Sequence, residues 1–529
     1  MTQRQRRKRG QIYLLKWIID IRDSFSKMPM CDGIKKINLS PLFLYDAANR
    51  LSSITNGGGR TYSYQYDSIG RRTKLSMPNG TYTTYAYDNS GRLTNLTHKT
   101  SAGAIIDSFS YTHDKIGNRL TKTEPVRSAA YTYDKTYRLI TAVNSKTVSG
   151  SNPFIPQDEA YTYDPAGNRL TSAPNRSYSY NQSNQLTNYK GKAYIHDKNG
   201  NLTIKTDEDY DLDTEIEGWT YTYDYENRLI KVVKNEKNET KTIIFKYDPF
   251  GRRIEKKVES IDKGVAETSI QTYVYDNEDI IFKYITKTSN GATTTETKKY
   301  LHGPGIDEHL SLTNDTGTYY YHADGLGSIT ALTDGSGNVV QTYEYDSFGK
   351  VHDNMNAIKQ PYTFTGREWD KEIGLYYYRA RYYDAETGRF VSFDPILRGF
   401  SHVEEVGCRE SITSFPLEQP QKLHPYAYVE NNPLNLTDAS GLCPKVPDIT
   451  FVQTAIRTGQ TPVQITYLIS CTLVKSEKVK IGSKCFEKCS YNCKQSWSWV
   501  APESGKTFGG KTTFPKQYEF ERDANECCE

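Results

Sequence analysis

An all-β fold is predicted from three features of this sequence: its tyrosine content, its alternating Tyr and Thr residues, and a turn motif that recurs along the chain. The 529 residues include 43 tyrosines, and aromatic residues reach 12% while all apolar types reach only 36%. Much of the buried surface must therefore come from tyrosine. Tyr and Thr at alternating positions favour pleated, half-buried strands over helices.

The first 39 residues are predicted to form a basic, poorly structured segment. They open with MTQRQRRKR, and the apolar stretch that follows, IYLLKWIIDI, is interrupted by Lys16 and Asp20. This stretch is too short to span a membrane and is a poor secretory signal. The formal net charge of the chain, +4, is small for its length. That charge argues against nucleic acid as a partner of the region that follows.

From residue 40 to about 350 the chain repeats one short unit. The copies include YDAANRL at 45, YDSIGRR at 66, YDNSGRL at 87, YDPAGNRL at 163 and YDPFGRR at 247, and worn copies such as YNQSNQL at 180. The period is loose, but Asp, Gly or Asn, and Arg stay in phase. Such self-similarity is typical of stacked repeat architectures rather than of a solvated linker.

Each unit is predicted to be one β-hairpin. The two tyrosines of Tyr-x-Tyr-Asp are two residues apart, so they share one face of a strand. The Asp carboxylate starts a turn, and Gly or Asn supplies the positive φ that closes it. Arg-Leu then begins the return strand and brings a cation back close to the Asp. Since one hairpin cannot bury its tyrosine face alone, successive hairpins are predicted to form a continuous ribbon.

An acidic stretch, DEDYDLDTEIE at 207–217, interrupts the repeat and has the alternating Asp residues of a calcium loop. Such a loop also needs Gly at its sixth position and a bidentate Glu at its twelfth. Leu212 and Gly218 stand at those positions. A solvated loop is therefore predicted here, and no metal or cofactor is predicted for the chain.

Two later segments differ from the repeat: RARYYDAETGRFVSFDP at 379–395 and HPYAYVENNPLNLTDASGL at 424–442. With the Tyr-Asp units and YYYHADGLGSITALTDGSGNVVQTYEYDSFG at 319–349, they resemble the Rhs (rearrangement hotspot) family of YD-repeat proteins. The resemblance covers about 40 to 442. It implies a β strip wound into a hollow shell, at least in part, and an Rhs-associated core over 351–442. It also implies a variable C-terminal domain that self-cleavage releases as a toxin.

The resemblance further implies a single-turnover, aspartyl-protease-like site made of Arg381, Asp394 and Asp438, with the cut between Leu442 and Cys443. Two neighbouring carboxylates share one proton, so one can activate water while the other protonates the carbonyl or the leaving amine. A guanidinium beside them would orient a carboxylate through its planar fork. The alternative is that Arg381 and Asp394 only brace the core as an ion pair.

Two departures from the family pattern bear on this site. Ala439 follows Asp438 where the family pattern is Asp-Pro-x-Gly-Leu, and losing the proline relaxes φ at that position. Asp394 and Asp438 are also 44 residues apart, because residues 397–423 make the connection much longer than usual. A loop costs little extra closure entropy as it lengthens. The insertion can therefore bulge out if both of its ends are anchored.

Residues 443–529 are predicted to form a small Cys-rich domain, the candidate effector, because seven of the nine cysteines fall there. A domain too small to bury a large core is typically stapled by disulfides. Cys485, Cys489 and Cys493 would share one side of a helix if this segment were helical. A zinc site of four cysteines is disfavoured because no C-x2-C pair exists. The last histidine of the chain is His424, which excludes His-dependent nuclease mechanisms within the tail.

Two functions remain open on the sequence. The first is a polymorphic-toxin carrier, exported by a specialised secretion system or held at the cell surface. Its partners would be its own C-terminal domain as cargo, a cognate immunity protein and a secretion apparatus. The second is a non-cleaving surface protein whose ribbon binds carbohydrate. The chain is also short for a complete shell, which suggests a truncated or orphan portion of a larger ancestor. The core segments, and the change of composition after Leu442, favour the first function.

Overall fold

The computed structural model describes eleven stretches of the chain. They are residues 41–147, 156–173, 176–207, 218–236, 239–262, 265–353, 358–398, 424–442, 465–481, 484–500 and 507–522. The predictions for the first 39 residues, the acidic stretch beyond residue 207, the insertion beyond residue 398 and Cys443 fall outside these residues. The chain divides into two compact units, 1–451 and 452–529, which are described separately. The boundaries predicted at 40, 351 and 443 stay predictions.

The first unit is built on one long antiparallel sheet, in which each strand pairs with the next strand along the chain. Its strands in the described residues are β1 (Leu42–Tyr45), β2 (Leu51–Thr55), β3 (Thr61–Tyr66), β4 (Arg72–Ser76), β5 (Tyr82–Tyr87), β6 (Leu93–Lys99), β7 (Ile105–His113), β8 (Arg119–Thr123), β9 (Arg127–Tyr133), β10 (Leu139–Lys146), β11 (Glu159–Tyr163), β12 (Arg169–Ser172), β13 (Arg176–Tyr180), β14 (Leu186–Tyr189), β15 (Lys192–His196), β16 (Leu202–Thr206), β17 (Gly218–Tyr223), β18 (Leu229–Glu236), β19 (Glu239–Tyr247), β20 (Arg253–Asp262), β21 (Val265–Asp276), β22 (Asp279–Ser289), β23 (Ala292–His302), β24 (His309–Asn314), β25 (Gly317–Ala323), β26 (Ile329–Thr333), β27 (Val339–Tyr345) and β28 (Val351–Asp353). The predicted all-β ribbon is confirmed.

The turns of the ribbon have the chemistry that the repeated motif predicts. In the first turn, Oδ1 of Asp46 accepts the N–H groups of Ala48 and Arg50, both at 2.9 Å, and Asn49 has a φ of 61°. Nε of Arg50 donates to Oδ2 of Asp46 at 2.8 Å. The same Asp–Arg pair, at 2.6 to 2.7 Å, recurs at Asp67–Arg71, Asp88–Arg92, Asp134–Arg138, Asp224–Arg228 and Asp248–Arg252. The cation therefore returns to the Asp as expected.

Arginine side chains also join one turn to the next, an arrangement called the turn ladder below. Nη1 of Arg50 donates to the carbonyl oxygen of Asp67 at 2.9 Å. In the other direction, the hydroxyl of Tyr66 donates to the carbonyl oxygen of Leu51 at 2.8 Å, and the Arg50 guanidinium lies 4.9 Å from the Tyr66 ring. The arginine link recurs from Arg71 to Asp88, from Arg92 to Asp114 and from Arg138 to Asp164. Neighbouring hairpins are therefore coupled by side chains as well as by strand pairing.

One turn carries a bulky residue where other units have Gly or Asn. Tyr137 has a φ of 67° and is 49% exposed. A left-handed backbone costs an L-residue about 1 kcal/mol or more, and Gly avoids this cost. We expect Tyr137→Gly to raise the free energy of unfolding by about 1 kcal/mol in urea titrations. Tyr137→Ala is the control, because it removes the ring and keeps the strain. An equal gain in both variants would contradict the explanation.

The described part of residues 358–442 forms a small inner sheet that packs on the buried face of the ribbon. Its elements are β29 (Glu368–Asp370), β30 (Leu375–Tyr378), β31 (Arg381–Asp384), β32 (Arg389–Phe390), the helical turn α1 (Pro395–Arg398) and two 3-10 turns, Phe364–Gly366 and Val429–Asn431. Tyr377 and Tyr382 of this sheet share a hydrophobic cluster with Tyr221 and Phe245 of the ribbon. The inner sheet thus covers the part of the ribbon's tyrosine face that includes Tyr221.

A group of buried charges, called the Arg253 cluster, fastens β29 to the ribbon. Asp370 accepts hydrogen bonds from Nη1 of Arg253 and from Nζ of Lys256, the latter at 2.8 Å. Glu368 lies 3.3 Å from Nη2 of Arg253 and 3.5 Å from Nζ of Lys283. Burial alone would raise the pKa of Asp370, but Arg253 and Lys256 outweigh it and hold that pKa at about 2. Asp370 is therefore ionised in the interior.

The second unit contains three antiparallel strands in its described residues: β33 (Ile465–Ile481), β34 (Lys484–Val500) and β35 (Thr507–Arg522). Cys485, Cys489 and Cys493 all lie in β34, so the helical alternative for this segment is wrong. The reason is visible in the sequence, where Trp497 and Trp499 follow the period of two that is typical of strands. No helix in the described part of the chain has the length and apolar character needed to cross a membrane.

Disulfides in residues 443–529 stay a prediction with a direct test. Seven cysteines can form three disulfides and leave one thiol free. We expect peptide mapping of protein made under oxidising conditions and then denatured to find one free thiol in this region. The same sample after reduction is the control and should show seven. Seven free thiols before reduction would exclude the disulfides.

Candidate active site

Arg381 lies between the two predicted carboxylates. Its Nη2 is 3.0 Å from Oδ2 of Asp394 and 3.4 Å from Oδ2 of Asp438. The three residues are only 4%, 8% and 1% exposed, respectively. Since both carboxylate oxygens contact one nitrogen atom, the two acids are neighbours despite the 44 residues between them. The structure therefore brings together the three residues that the sequence singles out.

Two backbone carbonyl groups and an aromatic ring contact the guanidinium of Arg381 and fix its orientation. Nε donates to the carbonyl oxygen of Gly441, and Nη1 donates to the carbonyl oxygen of Pro425 at 3.2 Å. The ring of Phe390 lies 3.6 Å from its central carbon. A planar fork held in this way can present one nitrogen to both acids at once. Lysine could not reproduce the arrangement.

Asp394 stands at the start of the long insertion, immediately before α1. Its N–H donates to the carbonyl oxygen of Pro425 at 3.1 Å, and its Oδ1 accepts the N–H of Ile396 at 2.9 Å. Beyond the insertion, the carbonyl oxygen of Tyr426 accepts the N–H of Phe390 at 2.9 Å. Both ends of the insertion are thus anchored beside the site. The length of the insertion therefore does not keep Asp394 and Asp438 apart.

In the segment that ends at Leu442, the backbone carbonyl groups of residues 439 to 441 are held by hydrogen bonds. Three consecutive carbonyl oxygens each accept a hydrogen bond from one of three consecutive residues at the turn between β30 and β31. The pairs are Nη1 of Arg379 with Ala439, the N–H of Ala380 with Ser440 at 3.2 Å, and Nε of Arg381 with Gly441. The N–H of Leu442 in turn donates to Oδ1 of Asp438 at 3.0 Å. These hydrogen bonds fix the position of the backbone before the predicted cut relative to the turn between β30 and β31.

Only glycine fits at position 441. Gly441 has a φ of 73°, and a Cβ there would lie 2.1 Å from the carbonyl oxygen of Tyr378. The close approach of the two backbones is what allows Arg381 to reach the carbonyl oxygen of Gly441. The glycine of the family pattern thus has a steric reason in this chain.

Sequence reasoning missed two charged residues of this site, Asp307 and Arg379. Nη2 of Arg379 lies 3.0 Å from Oδ1 of Asp307, and Nη1 of Arg367 lies 2.7 Å from the same oxygen. Asp307 is in the connection between β23 and β24, more than seventy residues before Arg379. The one signal for Arg379 was the paired arginine in RAR, and no local pattern marked Asp307.

Open space adjoins the site. A cavity of about 1000 Å³ is lined by residues that include Leu442, Ser440, Arg379 and Pro395. Water can therefore reach the last described residue of the segment. Within the described residues, no group of three or more His, Cys, Asp and Glu side chains is placed to hold a metal ion.

A hairpin ribbon that closes on an inner sheet, with buried arginines between the layers, defines the YD-repeat shell class. The chain belongs to the teneurin YD-shell family: the model of that family matches residues 108–434, and the RHS repeat model matches residues 45–82. The resemblance drawn from the sequence is thus confirmed.

Parts of this chain are similar to a known nuclease and to a known deaminase toxin. It is 34% identical over 246 residues to the tRNA3(Ser)-specific nuclease WapA of Bacillus spizizenii, covering 44% of this chain and 9% of that protein. It is 28% identical over 322 residues to the double-stranded DNA deaminase toxin A of Burkholderia cenocepacia, covering 56% of this chain and 21% of that protein. The chain therefore spans only 9% and 21% of the length of these two relatives.

Among solved structures, the crystal structure of TcdB2-TccC3-Cdc42 matches 76% of this chain and 21% of that one, with a TM-score of 0.57 and 21% identity. The Photorhabdus luminescens Tc holotoxin pore matches 77% of this chain and 21% of that one, with a TM-score of 0.57 and 20% identity. At this identity the likeness shows the fold alone. It agrees with the long antiparallel ribbon described above.

Proposed function

We propose that this chain is the shell and self-cleaving core of an Rhs-type polymorphic toxin, and that it cuts itself once between Leu442 and Cys443. The observation that carries the proposal is the contact of one Arg381 nitrogen with the carboxylates of both Asp394 and Asp438. The fixed register of the segment before Leu442 adds to it. Acid–base cleavage of a peptide needs two neighbouring carboxyl groups, and Asp394 and Asp438 provide such a pair.

The chemistry is a balanced hydrolysis. One carboxylate takes a proton from water as the water oxygen attacks the carbonyl carbon of Leu442. The other carboxyl group gives its proton to the nitrogen of Cys443 as the peptide bond breaks. Arg381 holds both acids and the preceding carbonyl group, so the reacting groups are already assembled. The products are a carboxylate on Leu442 and a new amino terminus on Cys443.

The released cargo would be residues 443–529. The relatives of this chain include a tRNA-specific nuclease and a double-stranded DNA deaminase toxin, which supports an effector role for a variable tail. On this proposal the protein is secreted or displayed at the cell surface. A cognate immunity protein and a secretion apparatus are its expected partners.

The intact mass of the purified full-length protein tests the proposal. We expect two fragments, and N-terminal sequencing of the smaller one should begin at Cys443. A chain that stays whole would instead favour the non-cleaving, carbohydrate-binding surface protein. A cut at another bond would overturn the assignment of Leu442 and Cys443.

A further inference from the structure

We infer that Arg379, held by Asp307, is a positioning residue that sets the register of the segment 438–442 for cleavage. The inference rests on the proposed function for its kinetic consequence, but its structural part can be tested in a chain that does not cut.

Arg379 lies in the turn between β30 and β31, and its side chain contacts three partners. Its backbone has a φ of 52°. Nε lies 3.1 Å from Oε2 of Glu278, Nη2 lies 3.0 Å from Oδ1 of Asp307, and Nη1 donates to the carbonyl oxygen of Ala439. Two carboxylates on the ribbon thus aim the guanidinium at one backbone carbonyl of the segment. Arg379 does not touch Asp394 or Asp438 in the described contacts, so its effect on them is indirect.

Asp307 is itself a fixed anchor. Nη1 of Arg367 lies 2.7 Å from its Oδ1, and Nη2 of Arg367 donates to the carbonyl oxygen of Tyr377 at 2.9 Å. Burial alone would raise the pKa of Asp307, but Arg367 and Arg379 outweigh it and hold that pKa at about 2. The carboxylate therefore stays charged over the ordinary pH range. The ribbon is thereby joined to the segment that is to be cut.

A restraint on the backbone matters at Ala439 because this residue stands where the family pattern has proline. Alanine leaves φ free to vary, whereas proline would fix it near −65°. A hydrogen bond from Arg379 to the Ala439 carbonyl oxygen restricts the same stretch of backbone from outside. Without it, Ser440 and Gly441 would keep their own contacts, but the chain between Asp438 and Ser440 could rotate. Misplacement of a reacting group by about 1 Å can cost on the order of a hundredfold in rate.

The structural part is tested in an Asp394→Asn background, in which the chain is expected to stay whole. We expect Arg379→Ala to speed amide hydrogen exchange in residues 438–442 by about tenfold, the equivalent of one lost hydrogen bond. Arg379→Lys should have a smaller effect, because it keeps the charge. Arg252→Ala is the matched control. Arg252 lines the same cavity, but its partners lie on the turn ladder.

The kinetic part is tested in the otherwise wild-type chain. We expect Arg379→Ala to slow cleavage by about 10- to 100-fold and to add a second amino terminus beside Cys443, because the register loosens. Adding Ala439→Pro should restore most of the rate and the single cut, since proline replaces the missing restraint. Arg252→Ala should cleave at the wild-type rate.

The outcomes separate the two ideas. Faster exchange in a protein whose wild type never cuts would refute the proposed function and leave the positioning role of Arg379 standing. Unchanged exchange in Arg379→Ala overturns the inference, whether or not cleavage slows. Slower cleavage that Ala439→Pro fails to rescue also overturns it, because Arg379 would then act other than through the backbone at 439.

Discussion

Asp394→Asn and Asp438→Asn are each expected to leave one full-length chain under conditions in which the wild type gives two fragments. An amide can neither share the proton nor activate water, and both acids contact the same Arg381 nitrogen. Groups that act as a unit typically lose several orders of magnitude in rate when either is removed. Intact mass followed over days measures the loss. Arg381→Lys should slow the cut less than Arg381→Ala, because charge survives while the fork is lost.

Asp384→Asn provides a matched control for these variants. Asp384 is an equally buried acid on β31, and it lies 3.6 Å from Nζ of Lys205 instead of in the site. This variant should lose some stability and still cut at Cys443. If Asp394 and Asp438 only brace the core, all three Asn variants would lower the melting temperature, and the wild type itself would stay one uncut chain. Cleavage that persists in either site variant would refute the two-acid mechanism.

Asp370→Asn is expected to lower the free energy of unfolding by about 3 to 5 kcal/mol, the usual cost of leaving a buried ion without its partner. Arg253 is completely buried, and Asp370 is its closest acid in the Arg253 cluster. Lys256 would lose the same partner. Urea titration followed by tyrosine fluorescence measures the change.

The control for Asp370→Asn is Asp248→Asn in the turn ladder. Its partner Arg252 is partly exposed, and exposed ion pairs contribute about 1 kcal/mol or less. Asn also keeps an oxygen that can accept the turn N–H groups. If both variants lower the free energy of unfolding equally, burial does not explain the contribution of the Arg253 cluster to stability.

The ribbon could be predicted because its chemistry is local. Asp, Gly or Asn, and Arg lie within five residues of one another in each turn, so the sequence itself places Arg50 beside Asp46. Tyr137 differs in residue type, but its backbone has the same positive φ as the Gly or Asn of the other units, at a higher cost in free energy. Nothing outside the unit is needed to form its turn.

The site could be predicted only in part, because its members are far apart in the chain. Arg381, Asp394 and Asp438 came from the family resemblance, since no spacing rule connects residues across a long insertion. Arg253 shows the limit most clearly. It follows Arg252 in YDPFGRR, but Arg252 ends the turn whereas Arg253 begins β20. Arg252 joins the turn ladder, while Arg253 binds Asp370, 117 residues away. The motif gives no sign of that partner.

The turn ladder has a consequence for how such genes change. Each arginine link connects a hairpin only to the one after it, as from Arg50 to Asp67. Recombination that adds or deletes one whole copy would rebuild the same link at the new junction, whereas an addition out of phase would break it. Copies that also bind the inner sheet, such as the one containing Arg253, cannot be exchanged so freely. We therefore expect the copy number of the repeat to change in steps of one hairpin, except where the inner sheet is attached.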